Sequence, residues 1–163
     1  MFKHHCFPKS IILQAVYFKL SFSLSYRDVE ELMEIRGVKV DHATFQRWVF
    51  KFTPMLDKEF RKRKKRVINI DKSGSNSSAI RVYNKRALAT KSRIRIRKCK
   101  YLNNIVEQDH RFIKWRIQQG LGFKEFESAR RTLSGIEIVR MIKKNQLIGQ
   151  DKTVFKSFMS LAA

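Results

Sequence analysis

Three residues of this 163-residue chain have the type and spacing to act on a phosphodiester: Asp71, Glu107 and Lys114. Asp71 directly follows Val67, Ile68 and Ile70, an apolar run that reads as a short buried strand. Glu107 comes 36 positions later, in a stretch with helical periodicity. A carboxylate at a strand end and a second on a helix can hold Mg²⁺, which binds through few hard oxygens and leaves room for water and a substrate phosphate. Lys114 lies seven residues beyond Glu107. Two helical turns put its ammonium on the carboxylate's face, where it can clamp a phosphate. Spacing alone is unspecific, because an Asp after a strand more often caps a helix and a helical Glu is usually solvated.

The charge balance points to the same kind of partner. Lys and Arg number 36 against 14 Asp and Glu, a net charge of +22, and such an excess favours polyanions through counterion release. Residues 1–53 hold 8 basic and 5 acidic side chains, 54–100 hold 17 and 3, and 101–163 hold 11 and 6, so the middle of the chain carries the field. A hydrophobic fraction of 43% is enough for a core and excludes a fully disordered chain. Only two cysteines, Cys6 and Cys99, exclude a disulfide scaffold and read as reduced thiols. The most apolar stretch, Ile11 to Tyr26, is interrupted by Gln14 and Lys19 and is too short for a membrane span. A cytoplasmic, nucleoid-associated location is the expectation. His4-His5-Cys6 offers soft metal ligands, but at a terminus the three read as incidental.

The elements that must position these groups can be read in order. Ser10 is expected to cap a helix reaching Phe22. Ser25 and Asp28 form a capping box for a second helix from Tyr26 to Arg36, with Val29, Leu32 and Met33 facing inward and Gly37 as the stop. Asp41 then caps a third helix, from His42 to about Phe52. Phe45, Trp48, Val49 and Phe52 stand at i, i+3, i+4 and i+7 and form its inner stripe. Gln46, Arg47 and Lys51 occupy the opposite side, with Thr44 at its edge, while Phe50 fits neither side and reads as a contact residue or partner surface. This is the pattern of a helix-turn-helix whose last helix enters the major groove, which makes His42, Thr44, Gln46, Arg47 and Lys51 the expected DNA contacts. A plain three-helix bundle is the competing reading.

Pro54 is expected to end that unit, and Arg61 to Arg66, six adjacent cations, to form a solvated linker or a phosphate-tracking segment. A Gly/Ser/Asn turn over Ser73 to Ser78 and a helix from Ala79 to Ala89 follow. Ser92 to Cys99 alternates Ile94 and Ile96 with Arg93, Arg95 and Arg97, the period of a strand with one apolar and one very basic face. Asn103 or Asn104 is expected to cap a helix reaching Gln118, with Gly120 and Gly122 as its stop and His110 on its polar surface. A last helix, Glu125 to Lys144, is expected to break or bend near Gly135. Residues 150–163 show no motif.

Two blocks carry a resemblance. Val-Ile-Asn-Ile-Asp-Lys around Asp71, and Tyr-Leu-Asn-Asn-Ile-Val-Glu-Gln-Asp-His-Arg-Phe-Ile-Lys from Tyr101 to Lys114, resemble bacterial insertion-sequence DDE transposases, nearest to the insertion sequence six family. Leu-Gly-Phe-Lys from Leu121, Gly-Ile-Glu from Gly135, Ser-Tyr-Arg-Asp from Ser25, Val-Asp-His-Ala-Thr from Val40 and Arg-Trp-Val from Arg47 are similar to that family too. The likeness spans most of residues 10–146. It implies an RNase H-like catalytic domain that cuts and joins DNA ends with Mg²⁺. Asp71 matches the second catalytic Asp, Glu107 the catalytic Glu and Lys114 the basic residue after it, so Asp71 and Glu107 are the implied metal ligands.

The block that would carry the family's first Asp, on an early strand of that domain, is absent. Asp57 and Glu59 are the only acids in the junction, and neither sits in the family's context. An internal deletion joining the DNA-binding front to the rear of the catalytic domain explains the sequence. Two carboxylates cannot clamp two metals, and two leftover strands leave unpaired edges.

The resulting expectation is an α+β, mostly helical chain: a helix-turn-helix bundle over 1–53, a basic junction over 54–66, a truncated RNase H-like fragment over 67–149 and a tail over 150–163. Its partners would be double-stranded DNA at transposon ends, together with a second copy or a full-length transposase. Two rival readings stay open. One is an active recombinase completed by another acid or by a partner subunit, and the other is a generic basic nucleic-acid-binding protein.

Overall fold

The computed structural model is mostly helical with one small sheet, an α+β arrangement. Its described residues are 6–70, 74–86, 93–100, 102–119 and 125–162, and at 74–76, 102–106, 109 and 119 the description is of backbone alone. The elements are α1 (Lys9–Ser21), α2 (Tyr26–Ile35), α3 (His42–Arg63), β1 (Val67–Ile70), α4 (Gly74–Arg86), β2 (Arg95–Lys98), α5 (Leu102–Gln119), α6 (Phe126–Lys143) and α7 (Val154–Met159), closed by a 3-10 turn over Ser160–Ala162. They fall into two units, Met1–Lys64 with Ile117–Ala163, and Lys65–Arg116. The second unit begins within two residues of the expected start at 67, whereas residue 53 lies inside α3, and α6, expected in the fragment over 67–149, packs on α1 and α3.

Local chemistry sets the first three helices. Ser25 Oγ accepts from the Asp28 amide at 3.0 Å, and the Asp28 carboxylate accepts from the Ser25 amide at 2.6 Å, closing the capping box. Those hydrogen bonds hold the Asp28 carboxyl below its ordinary range. At the other end of α2, Gly37 adopts a φ of 77°, and the amides of Gly37 and Val38 return to the carbonyls of Glu34 and Met33. This Schellman geometry needs a residue free to adopt left-handed backbone. Asp41 caps α3 through the Ala43 amide at 3.0 Å. By contrast Ser10 caps nothing, because α1 already begins at Lys9 with Pro8 before it.

Helix α3 does not stop at Phe52 but continues through Pro54 to Arg63. Proline has no N–H to give the carbonyl four residues earlier, that of Phe50. Arg131 of α6 supplies the missing donor: its guanidinium bonds the Phe50 carbonyl at 3.2 Å and lies over the Phe50 ring, 5.1 Å from its centroid. Phe50 is thereby covered from within its own unit.

The first half of the cationic run is helix rather than linker, since α3 reaches Arg63, and the two units meet at Lys64 and Lys65 within its second half. Arg61 pairs with Asp57 and Lys62 with Glu59, while Arg63 donates to the carbonyls of Ile148, Gly149 and Ser160. Residues after 150, unmarked in the sequence reading, form α7, capped by Thr153, with Phe158 and Leu161 buried. Tyr17 of α1 packs its ring 5.1 Å from Phe155 and 5.3 Å from Phe158.

The core of this unit draws on α1 (Ile12, Leu13, Val16, Leu20), α2 (Val29, Met33), α3 (Phe45, Phe52, Leu56, Phe60) and α6 (Ile138, Ile142). Helix α6 runs unbroken past Gly135. A Cβ there would stand 2.5 Å from a Leu20 methyl and 3.0 Å from the Thr53 methyl, so the glycine serves close helix approach rather than a bend.

In the unit over Lys65–Arg116, β1 and β2 pair in parallel, with Val67 opposite Arg95 and Ile70 opposite Lys98. Helix α4 forms the crossover and starts earlier than expected, taking in residues assigned to a turn. Strand β1 is not buried as expected: Ile70 is covered, but Val67 and Ile68 are 37% and 42% exposed. Two strands alone leave it without a packed layer. Helix α5 begins at Leu102, so Asn103 and Asn104 lie within its first turn rather than before it. Gly120, Gly122 and residues 87–92 lie outside the described residues.

Candidate functional site

Helix α3 has two chemically distinct sides. Phe45, Trp48, Val49 and Phe52 are at most 5% exposed, as the i, i+3, i+4, i+7 spacing predicts. Gln46, Arg47 and Lys51 stand exposed on the other side, and Thr44 is half-buried. Because the inner stripe anchors the helix, the outer side chains are held at a fixed phase around its axis. Their amide and guanidinium donors can then read a surface rather than sweep over it.

His42, at the start of α3, is held differently. Its Nδ1 lies 2.9 Å from Glu30 of α2 and 3.1 Å from Asp41. These three are the group of His and carboxylate ligands that converges among the described residues. The contact with Glu30 links the start of α3 to α2.

The catalytic candidates are less assembled. Asp71 lies outside the described residues, as do His4 and His5. Glu107 is exposed on α5 and pairs with Arg111 at 3.3 Å. Lys114 and His110 are exposed further along the same helix. Asp57 and Glu59, the acids nearest the junction, are engaged by Arg61 and Lys62 at 2.7 Å each along α3. The one group of three or more metal-ligating side chains among the described residues, Glu30, Asp41 and His42, does not include Glu107.

Two groups that matter here were missed in the sequence reading. Arg131 and Arg63 complete carbonyls 81 and 85 or more positions away, and nothing local distinguishes them from other surface cations. The tail helix was readable in principle, with a Thr cap followed by Val154, Phe155, Phe158 and Leu161 on one side.

A family model described as a DDE domain matches residues 34–146. The chain is 29% identical over 204 residues, covering 89% of it and 90% of the relative, to the transposase for insertion sequence-like element IS431mec of Staphylococcus aureus strain N315. It has the same identity and coverage to the transposase for insertion sequence element IS257 in transposon Tn4003 of Staphylococcus aureus. These alignments are longer than the 163 residues of the chain, so each relative carries residues with no counterpart here. No solved structure matches. Among the described residues no helix is long and apolar enough to cross a membrane.

Proposed function

The chain belongs to the insertion sequence six family of DDE transposases, and from that premise we propose that it is a DNA-binding descendant of such an enzyme, without the strand-cutting chemistry. Helices α2 and α3 act as a helix-turn-helix. The exposed side of α3, with Gln46, Arg47, Lys51 and Thr44, enters the major groove of an insertion-sequence end, and His42 links the two helices. The single observation that carries this reading is the two-sided α3, with four apolar residues sealed inside and polar donors outside. The stretch from 67 to 149 is the rear of an RNase H-like domain.

The family's reaction uses a divalent ion, typically Mg²⁺. Asp71 and Glu107 would be its remaining ligands, and Lys114 a clamp for the phosphate beside them. Support for a lost reaction comes from the alignment positions that have no counterpart in this chain. No step through the ion follows from these residues.

Fluorescence anisotropy with a duplex bearing the insertion-sequence inverted repeat, against a scrambled duplex, tests the reading. Wild type is expected to prefer the repeat. Arg47→Ala is expected to cost about 1–3 kcal/mol of that discrimination, the worth of one bidentate base contact. Equal affinity for both duplexes sinks the proposal. Mg²⁺-dependent cleavage that disappears in Glu107→Gln would instead establish a completed active site.

A further inference from the structure

The basic alternation of β2 takes no part in the function above. Arg93, Arg95 and Arg97 are exposed, while Ile94 and Ile96 between them are half-buried. Two contacts fix this phase. The Asn84 side-chain amide both donates to the Ile94 carbonyl and accepts from its amide, each at 2.8 Å. The strand then runs between Arg95 N to Arg66 O at 2.8 Å and Cys99 N to Ile70 O at 2.9 Å.

Because β1 and β2 are parallel and in register, Val67 and Asn69 share the arginine face, and both are exposed. Neither strand contains a carboxylate, and among the described residues none of the three arginines has an ion-pair partner. Every outward position from 93 to 97 is arginine, whose planar fork suits phosphate oxygens better than a lysine ammonium does.

We propose that this face is a phosphate-tracking surface that holds duplex DNA without regard to base sequence. The inference rests on the reading above only in taking DNA as the polyanion. Alternate strand residues are about 6.6 Å apart, so the three arginines present an evenly spaced row of guanidinium forks to the phosphates of a nucleic-acid backbone. The face adds affinity, and the α3 side chains add selectivity.

The test is a salt titration with the full chain and a labelled duplex of arbitrary sequence, comparing wild type with R93Q/R95Q/R97Q and with the charge-matched control K144Q/K152Q/K156Q, whose exposed lysines lie outside α2, α3 and the sheet. Three lost phosphate contacts should lower the slope of log affinity against log salt by about 2.7. Between about 50 and 200 mM salt, wild type then loses roughly forty-fold more affinity than the arginine variant. The control should keep the wild-type slope, and R93K/R95K/R97K should keep most of it.

Should the triple variant lose helicity by circular dichroism, R95Q alone is expected to remove about 0.9 from the slope. Equal slopes for the arginine variants and the control overturn the inference. So does arginine-dependent binding of duplex RNA in preference to DNA. Since the probe carries no inverted repeat, failure here leaves the α3 reading standing, and failure of inverted-repeat preference leaves this result standing.

Discussion

The unit formed by residues 1–64 and 117–163 and the unit formed by 65–116 differ most in what they bury. Nearly every buried apolar side chain belongs to the first, from Ile12 in α1 to Leu161 after α7. In the second, among the described residues, only Ile70 is a buried hydrophobic, and Val67, Ile68, Val82, Tyr83 and Trp115 stand 37–51% exposed. Both units come from one chain of ordinary apolar content, so composition does not account for the contrast. Layers do. A helical unit can close its core with a few amphipathic helices, whereas a two-stranded parallel sheet needs further strands and covering helices to bury its faces.

The largest effect that would sharpen this contrast is core truncation. Phe52→Ala is expected to destabilise the helical unit by about 3–5 kcal/mol, and Ile96→Ala the sheet unit by about 1 kcal/mol or less, as read by urea denaturation and amide exchange. Comparable losses at the two positions would break the contrast.

A smaller effect isolates how α3 survives Pro54. Arg131→Met leaves the Phe50 carbonyl without its donor and is expected to cost about 1–3 kcal/mol. In a Pro54→Ala background the restored amide bonds that carbonyl, and most of the cost should vanish. A cycle with no coupling would show that Arg131 acts elsewhere.

The smallest effect is titration. Glu127 accepts from Arg130 and Arg131, and those hydrogen bonds hold its carboxyl down to about 2. A depressed carboxyl contributes stability that is complete above the ordinary carboxylate range and is lost as pH falls through about 2. Melting temperature against pH should therefore drop less steeply on the acid side in Glu127→Gln than in wild type.

What could be read from sequence was whatever is decided within a few residues. The Ser25–Asp28 box, the Asp41 cap, the Gly37 stop and the inner stripe of α3 are all local arrangements, and all appear. What could not be read depends on distant partners. The helix continues past Pro54 because of Arg131, Gly135 permits α6 to approach Leu20, and Arg63 is drawn to the carbonyls around Ile148 and Ser160. Exposure of β1 had the opposite cause: its apolar pattern describes a buried strand, but among the described residues no layer covers it. For the candidate site, the faces of α3 were legible, and Asp71 lies outside the described residues.

The helical unit is assembled from both ends of the chain, and this has a bearing on how it is synthesised. Leu20, Phe52 and Phe60 leave the ribosome early, yet α6 and α7 are made only after the whole sheet unit has been translated. At about 5–20 residues per second, those apolar faces wait on the order of ten seconds for their partners. During that interval the nascent chain exposes a sticky, cationic surface, which makes it a natural client for chaperones.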